Sequence, residues 1–252
     1  MNSLSHALAD LSIAPQPGLP QPFRFFDLPS ELRFKILGFV LVTDQIVDLN
    51  PKNYGAARHR MNVFLTSHRL HEESYPVYYG GHTFRIFPTN HRFFGHKVRP
   101  LVARLPARYR AALVSLELRL GPGWSNPPRS WRVDDRLGLE EMEAVRTVKV
   151  FVECDPSHDI FNGFRIDRDF FTGFSGSLLG DVLQCLPSVV RVELDGWPSV
   201  KREGPLVKRL LEVTRNAGVR VPEVGGKGED DGDQDFSICR ARRRLNYPRE
   251  LD

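Results

Sequence analysis

Little in this chain could be given over to covalent or metal cross-linking. Its three cysteines, Cys154, Cys185 and Cys239, lie far apart and are odd in number. Neither a disulfide framework nor a zinc site follows from them, and a reducing compartment, cytoplasmic or nuclear, is expected. No apolar run approaches the ~20 residues that cross a bilayer, so no membrane span is expected. Residues 1–22 lack a basic patch followed by an apolar core, which argues against a secretory leader.

Signatures of catalysis are missing too. There is no G-x-x-x-x-G-K-[ST] and no G-x-G-x-x-G behind a strand. The stretch Phe174-Ser175-Gly176-Ser177 resembles a G-x-S-x-G elbow only loosely, and reads as a turn or helix start. His68 and His71 are three apart with Glu72 beside them, whereas zinc on a helix wants two ligands four apart and a third from elsewhere. Asp134-Asp135 and Glu140-Glu141 are adjacent acids, and paired catalytic carboxylates come from separate elements. No cysteine has a neighbouring histidine to lower its thiol pKa. The chain is expected not to be an enzyme, and to carry no cofactor and no metal.

What is present is an ordinary apolar share of 41%, enough for a core, and a net charge of +4 with a marked asymmetry. Between Ala57 and Arg110 stand ten Lys/Arg, six of the eight histidines and only two acids, Glu72 and Glu73. One reading is a basic surface for phosphate or nucleic acid, with Tyr78, Tyr79, Phe93 and Phe94 as stacking groups. The other is a solvated face balanced by acids from elsewhere, with these aromatics in the core. Nucleic acid is not the expected partner.

Four regions follow from composition. Residues 1–22, with Pro15, Pro17, Pro20 and Pro22, are expected to be a flexible tail. Residues 23–88 form a helical module with a short strand. Residues 89–222 form an α/β region. Residues 223–252 read as a charged disordered tail, in which Arg240-Ala241-Arg242-Arg243-Arg244 could serve nuclear import.

Within the module, a helix starts near Asp27 to Pro29, with Asp27 as cap and Pro29 in the first turn. Leu28, Leu32, Ile36, Phe39 and Val40 recur at helical spacing, with Arg33 and Lys35 off the stripe. A second helix is predicted over Ala57 to Ser74, with Met61, Phe64, Leu65 and Tyr75 inward and a kink or stop at Pro76. Gly80-Gly81 predicts a turn, and Thr83 to Phe87 a strand closed by Pro88.

Three later segments share one spacing: Leu113-x-x-Leu116-x-Leu118, Val145-x-x-Val148-x-Val150 and Val189-x-x-Val192-x-Leu194. Each follows a predicted helix: Val98 to Arg110, Leu137 to Ala144, and Phe170 to Leu186. A further helix, Pro205 to Asn216, leads through Gly218 to Val219-Arg220-Val221. Helix then strand, repeated, predicts parallel strands under covering helices. The fold class is α+β or α/β, with an irregular helix–strand repeat forming a leucine-rich-repeat-like sheet, although the signature asparagine of true leucine-rich repeats is missing.

Leu28-Pro29-Ser30-Glu31-Leu32 followed by Ile36-Leu37 resembles the start of the F-box motif. The later tract, Leu65 to Glu73 and then Tyr78-Tyr79-Gly80-Gly81-His82-Thr83-Phe84-Arg85-Ile86, is similar to a set of fungal F-box-like proteins. Those read L-P-x-E-L-R-x-x-I, then H-x-E-A, then Y-G-x-N-T-F-x-F. The resemblance covers residues 23–88. It implies a helical module that binds the Skp-type adaptor of a cullin ubiquitin ligase, while downstream residues choose an unknown substrate protein. By that resemblance Leu28, Pro29, Leu32, Ile36 and Leu37 face the adaptor.

Overall fold

Pro29 turns the chain into its first helix. In the computed structural model, which describes residues 23–48, 58–89, 99–121, 124–126 and 128–222, α1 runs over Ser30–Leu41. Both predicted tails, the basic cluster at Arg240–Arg244, Phe93 and Phe94 lie outside the described residues. Pro29 itself holds the cap position in an extended conformation, and Glu31 sits in the first turn, where the positive helix end favours an acid. Asp27 is not the cap. It ends a 3-10 turn, Phe25–Asp27, and pairs with Arg24 at 3.0 Å.

The second predicted helix divides. A helical turn at residues 58–61 and a 3-10 turn, Asn62–Leu65, precede α2, His68–Gly81. Ser67 starts α2 by accepting the Leu70 amide at 3.2 Å, as Ser and Thr do at helix caps. Pro76 does not stop the helix but lies inside it. An internal proline costs roughly 3 kcal/mol, and the buried Tyr78 and Tyr79 that follow offset it. Gly81 ends α2 against Val42, leaving no room for a Cβ, which would lie 2.5 Å from a Val42 methyl. Phe64 is buried and Met61 partly so, as the pattern predicts, but Leu65 points to solvent.

Four strands form one sheet in chain order: β1 Thr83–Arg85, β2 Ser115–Leu120, β3 Thr147–Val152 and β4 Arg191–Gly196. All neighbouring pairs are parallel. The mixed α/β class with a parallel sheet is thus as the repeated helix–strand pattern predicts. β1 belongs to the module expected over 23–88, and it pairs with β2 beyond it. Bridges extend both edges, Val47 to Phe84 on one side and Arg191 to Arg220 on the other. The strand expected at Val219–Val221 is no more than that second bridge.

Register stacks the core in rows. Phe84, Leu116, Val148 and Val192 stand side by side, as do Leu118, Val150 and Leu194. These rows share one buried cluster with Leu179 and Val182 of α4 (Phe170–Cys185) and Leu206 and Leu210 of α5 (Pro205–Asn216). The helical layer follows chain order: α1 packs on α2, α2 on α3 (Ala107–Arg110), and α4 on α5. Shorter turns replace two predicted helices. Val98–Arg110 yields a 3-10 turn, Val102–Arg104, and the single-turn α3. Leu137–Ala144 yields two 3-10 turns, Asp135–Leu137 and Leu139–Glu141, parted by Gly138 at φ 63°.

Candidate docking surface on the first helix

α1 is apolar on both sides, and packing chooses which side is hidden. Arg33, Leu37 and Leu41 recur every four residues and are buried, on the side where α1 meets α2. The predicted stripe faces outward instead. Leu32 is 48% exposed, Ile36 37%, Phe39 77% and Val40 44%. Leu28 is half-buried at the foot of this ridge, and Pro29 is exposed. Leu37, expected beside them, is only 3% exposed and belongs to the core. The correction has a simple cause: residues 36 and 37 are adjacent, so a helix turns them about 100° apart. Phe34, which the stripe leaves out, is also exposed.

The ridge is braced from behind. Arg33 donates two hydrogen bonds to Glu73 of α2, at 2.7 and 2.9 Å. Bonding from Arg33, with help from Arg69, holds the Glu73 carboxyl below the usual carboxylate range against the opposing effect of burial. The end of α2 is tied to the end of α1 by buried His82. Its Nε2 accepts the Thr43 amide at 3.1 Å, and its Nδ1 lies 2.8 Å from the Tyr78 carbonyl. That pattern requires a neutral ring with its proton on Nδ1, and burial pushes the His82 pKa down.

The stacking groups proposed for nucleic acid are not available among the described residues. Tyr78 and Tyr79 are buried, and Tyr79 stacks on Tyr109 at 4.8 Å and on Phe84 at 5.5 Å. Burial raises both phenol pKa values. Several arginines of the basic stretch meet acids: Arg108 with Glu72 at 2.8 Å, Arg110 with Glu141, and Arg85 with Glu117 and Asp48. Glu141, Glu117 and Asp48 come from outside the stretch, which the sequence order conceals.

Of the residues weighed for catalysis or metal binding, several are buried or already bonded within the chain. Ser175 is fully buried within α4. His71 contacts the Tyr109 hydroxyl at 2.9 Å and the Phe64 carbonyl at 3.2 Å. Asp134 caps a 3-10 turn by accepting the Arg136 amide. Burial pushes the Cys154 thiol up to about 11 and raises that of Cys185, which disfavours a thiolate at either. Among the described residues no group of three His, Cys, Asp or Glu could hold a metal ion, and no helix is long and apolar enough to cross a membrane.

Comparison of the chain with family models, with curated proteins and with solved structures finds no match in any of them.

Proposed function

We propose that this chain is a non-enzymatic, F-box-like substrate-recognition subunit of a cullin-type ubiquitin ligase. The outward ridge of α1 docks the Skp-type adaptor, and the α/β part over residues 98–222 presents a surface to a substrate protein. One observation carries the reading. Leu32, Ile36, Phe39 and Val40 stand exposed together on a helix whose other side is fixed to α2. An apolar helix face of this kind fits a groove on a partner, and contiguous exposed apolar surface marks interaction sites. The F-box resemblance of Leu28 to Leu37 supplies the identity of the partner. The assigned compartment is the cytoplasm or nucleus, where such a ligase works.

A pull-down with purified adaptor tests the reading. The wild-type chain is expected to bind, and the Leu32→Asp, Ile36→Asp double variant to lose binding while keeping its circular dichroism spectrum. Charges forced into an apolar interface without partners are costly. If the wild type binds no better than the double variant, the docking assignment is lost. A phosphate-binding role is not favoured, because Arg85, Arg108 and Arg110 already meet carboxylates.

A further inference from the structure

The two sequence motifs meet inside the molecule through one carboxylate. Arg33 belongs to the first motif and Glu73 to the second, 40 positions later. Arg33 Nε donates to Glu73 Oε2 at 2.7 Å and Nη2 to Glu73 Oε1 at 2.9 Å, a two-pronged pair that is mostly buried. The remaining prong, Nη1, donates to the carbonyl of Leu28, directly ahead of Pro29. Glu73 also receives Arg69 Nε at 3.4 Å, and the Arg69 guanidinium lies 4.4 Å from the centre of the Phe26 ring. Glu73 therefore gathers two guanidiniums, and these hold the chain at Phe26 and at Leu28. Between those points and α1 lies the corner from which the ridge rises.

We propose that Glu73, acting through Arg33 and Arg69, is the positioning residue of the docking ridge. It fixes the Phe26–Pro29 corner on α2, so that Leu28, Pro29 and Leu32 are presented to a partner in one arrangement. The consequence for binding rests on the docking reading above; the fixing of the corner does not. Arg33 touches no partner in this scheme. Its contribution is to remove the freedom that docking would otherwise have to freeze out. Lysine can keep the charge opposite Glu73 but has no planar fork, so it cannot serve Glu73 twice and the Leu28 carbonyl as well.

The test uses the full chain and three variants: Arg33→Lys, Arg69→Ala and, as a control, Val207→Ala in the core of α5. Hydrogen exchange is followed at the amides of Asp27, Leu28, Leu32 and Arg33, which bond to the carbonyls of Arg24, Phe25 and Pro29. Adaptor affinity is measured by calorimetry. Arg33→Lys is expected to speed exchange at these amides and weaken adaptor binding, each by about tenfold. Arg69→Ala removes a half-exposed side chain and should fold regardless; about threefold is expected in both readouts. Val207→Ala is expected to lower the melting temperature without altering either. Unchanged exchange in both arginine variants overturns the proposal, as does adaptor affinity that falls in Val207→Ala as much as in Arg33→Lys. Should the wild type ignore the adaptor while Arg33→Lys still loosens residues 27–33, the docking reading falls and the fixed corner stands.

Discussion

Along α1 the exposed side chains include the apolar Leu32, Ile36, Phe39 and Val40, whereas on the sheet, on the face opposite the apolar rows, one row reads Arg85, Glu117, Lys149, Glu193, its first two members buried. The row alternates in sign from strand to strand, and its members pair with one another. Arg85 meets Glu117 at 3.2 Å, and Lys149 meets Glu193 at 3.9 Å. Arg191 adds a contact to Glu193 at 3.2 Å, and Arg119 bonds Glu153. The sheet face thus finds its partners within the chain and helps to fix register, since a slip of one residue would turn these charges toward the core. The α1 ridge differs: each of its four side chains keeps more than a third of its surface exposed. The proposed docking surface is therefore the oily side of the helix rather than the charged side of the sheet.

The sharpest way to break this comparison is to alter neighbouring positions of α1. Leu37→Ala should cost about 3 kcal/mol in denaturant unfolding, while Leu32→Ala should stay within about 0.5 kcal/mol. Equal losses would mean that the ridge is not free surface. On the sheet, Glu117→Ala removes one of the two carboxylates that meet buried Arg85, and a loss of about 2 kcal/mol is expected by the same measurement. An acid titration addresses His82. Its pKa is lower in the folded chain than the ordinary 6.5, so the unfolded chain takes up the proton first. Stability is then full above that value and falls as the pH drops below it. Thermal melts between pH 7 and pH 5 should show this decline, and His82→Asn should flatten it. The smallest effect belongs to Lys149→Ala. Its long, half-exposed pair with Glu193 should be worth less than about 0.5 kcal/mol, and a larger loss would show that the charged row acts as a unit.

Much of the fold can be read directly from the residues. α5 has the bounds Pro205–Asn216 that its starting proline and Gly218, at φ 68°, prescribe. The three spaced apolar segments mark β2, β3 and β4 because parallel strands bury alternate residues beneath helices. Other features depend on distant partners. Arg33 looks like a solvent residue until Glu73 arrives from α2. Pro76 looks like a kink or a stop until the burial of Tyr78 and Tyr79 is counted. Leu37 and Ile36 cannot be sorted into core and surface by hydrophobicity, since α1 is apolar on both sides; only α2 decides between them. Of the five residues that the F-box resemblance turns toward an adaptor, Pro29, Leu32 and Ile36 are exposed, Leu28 is half-buried and Leu37 lies in the core.

Chain order in the sheet has a mechanical consequence. Each strand pairs with the next one along the chain, and the helices above follow the same order. A pull applied at the residue 222 end would meet α5 and β4 first, then β3, without having to draw one strand past another. Nearest-neighbour stacks of this kind can yield a layer at a time. An optical-trap trace should accordingly descend as a staircase, its last step the release of α1 from α2; a single rip would show that the layers fail together.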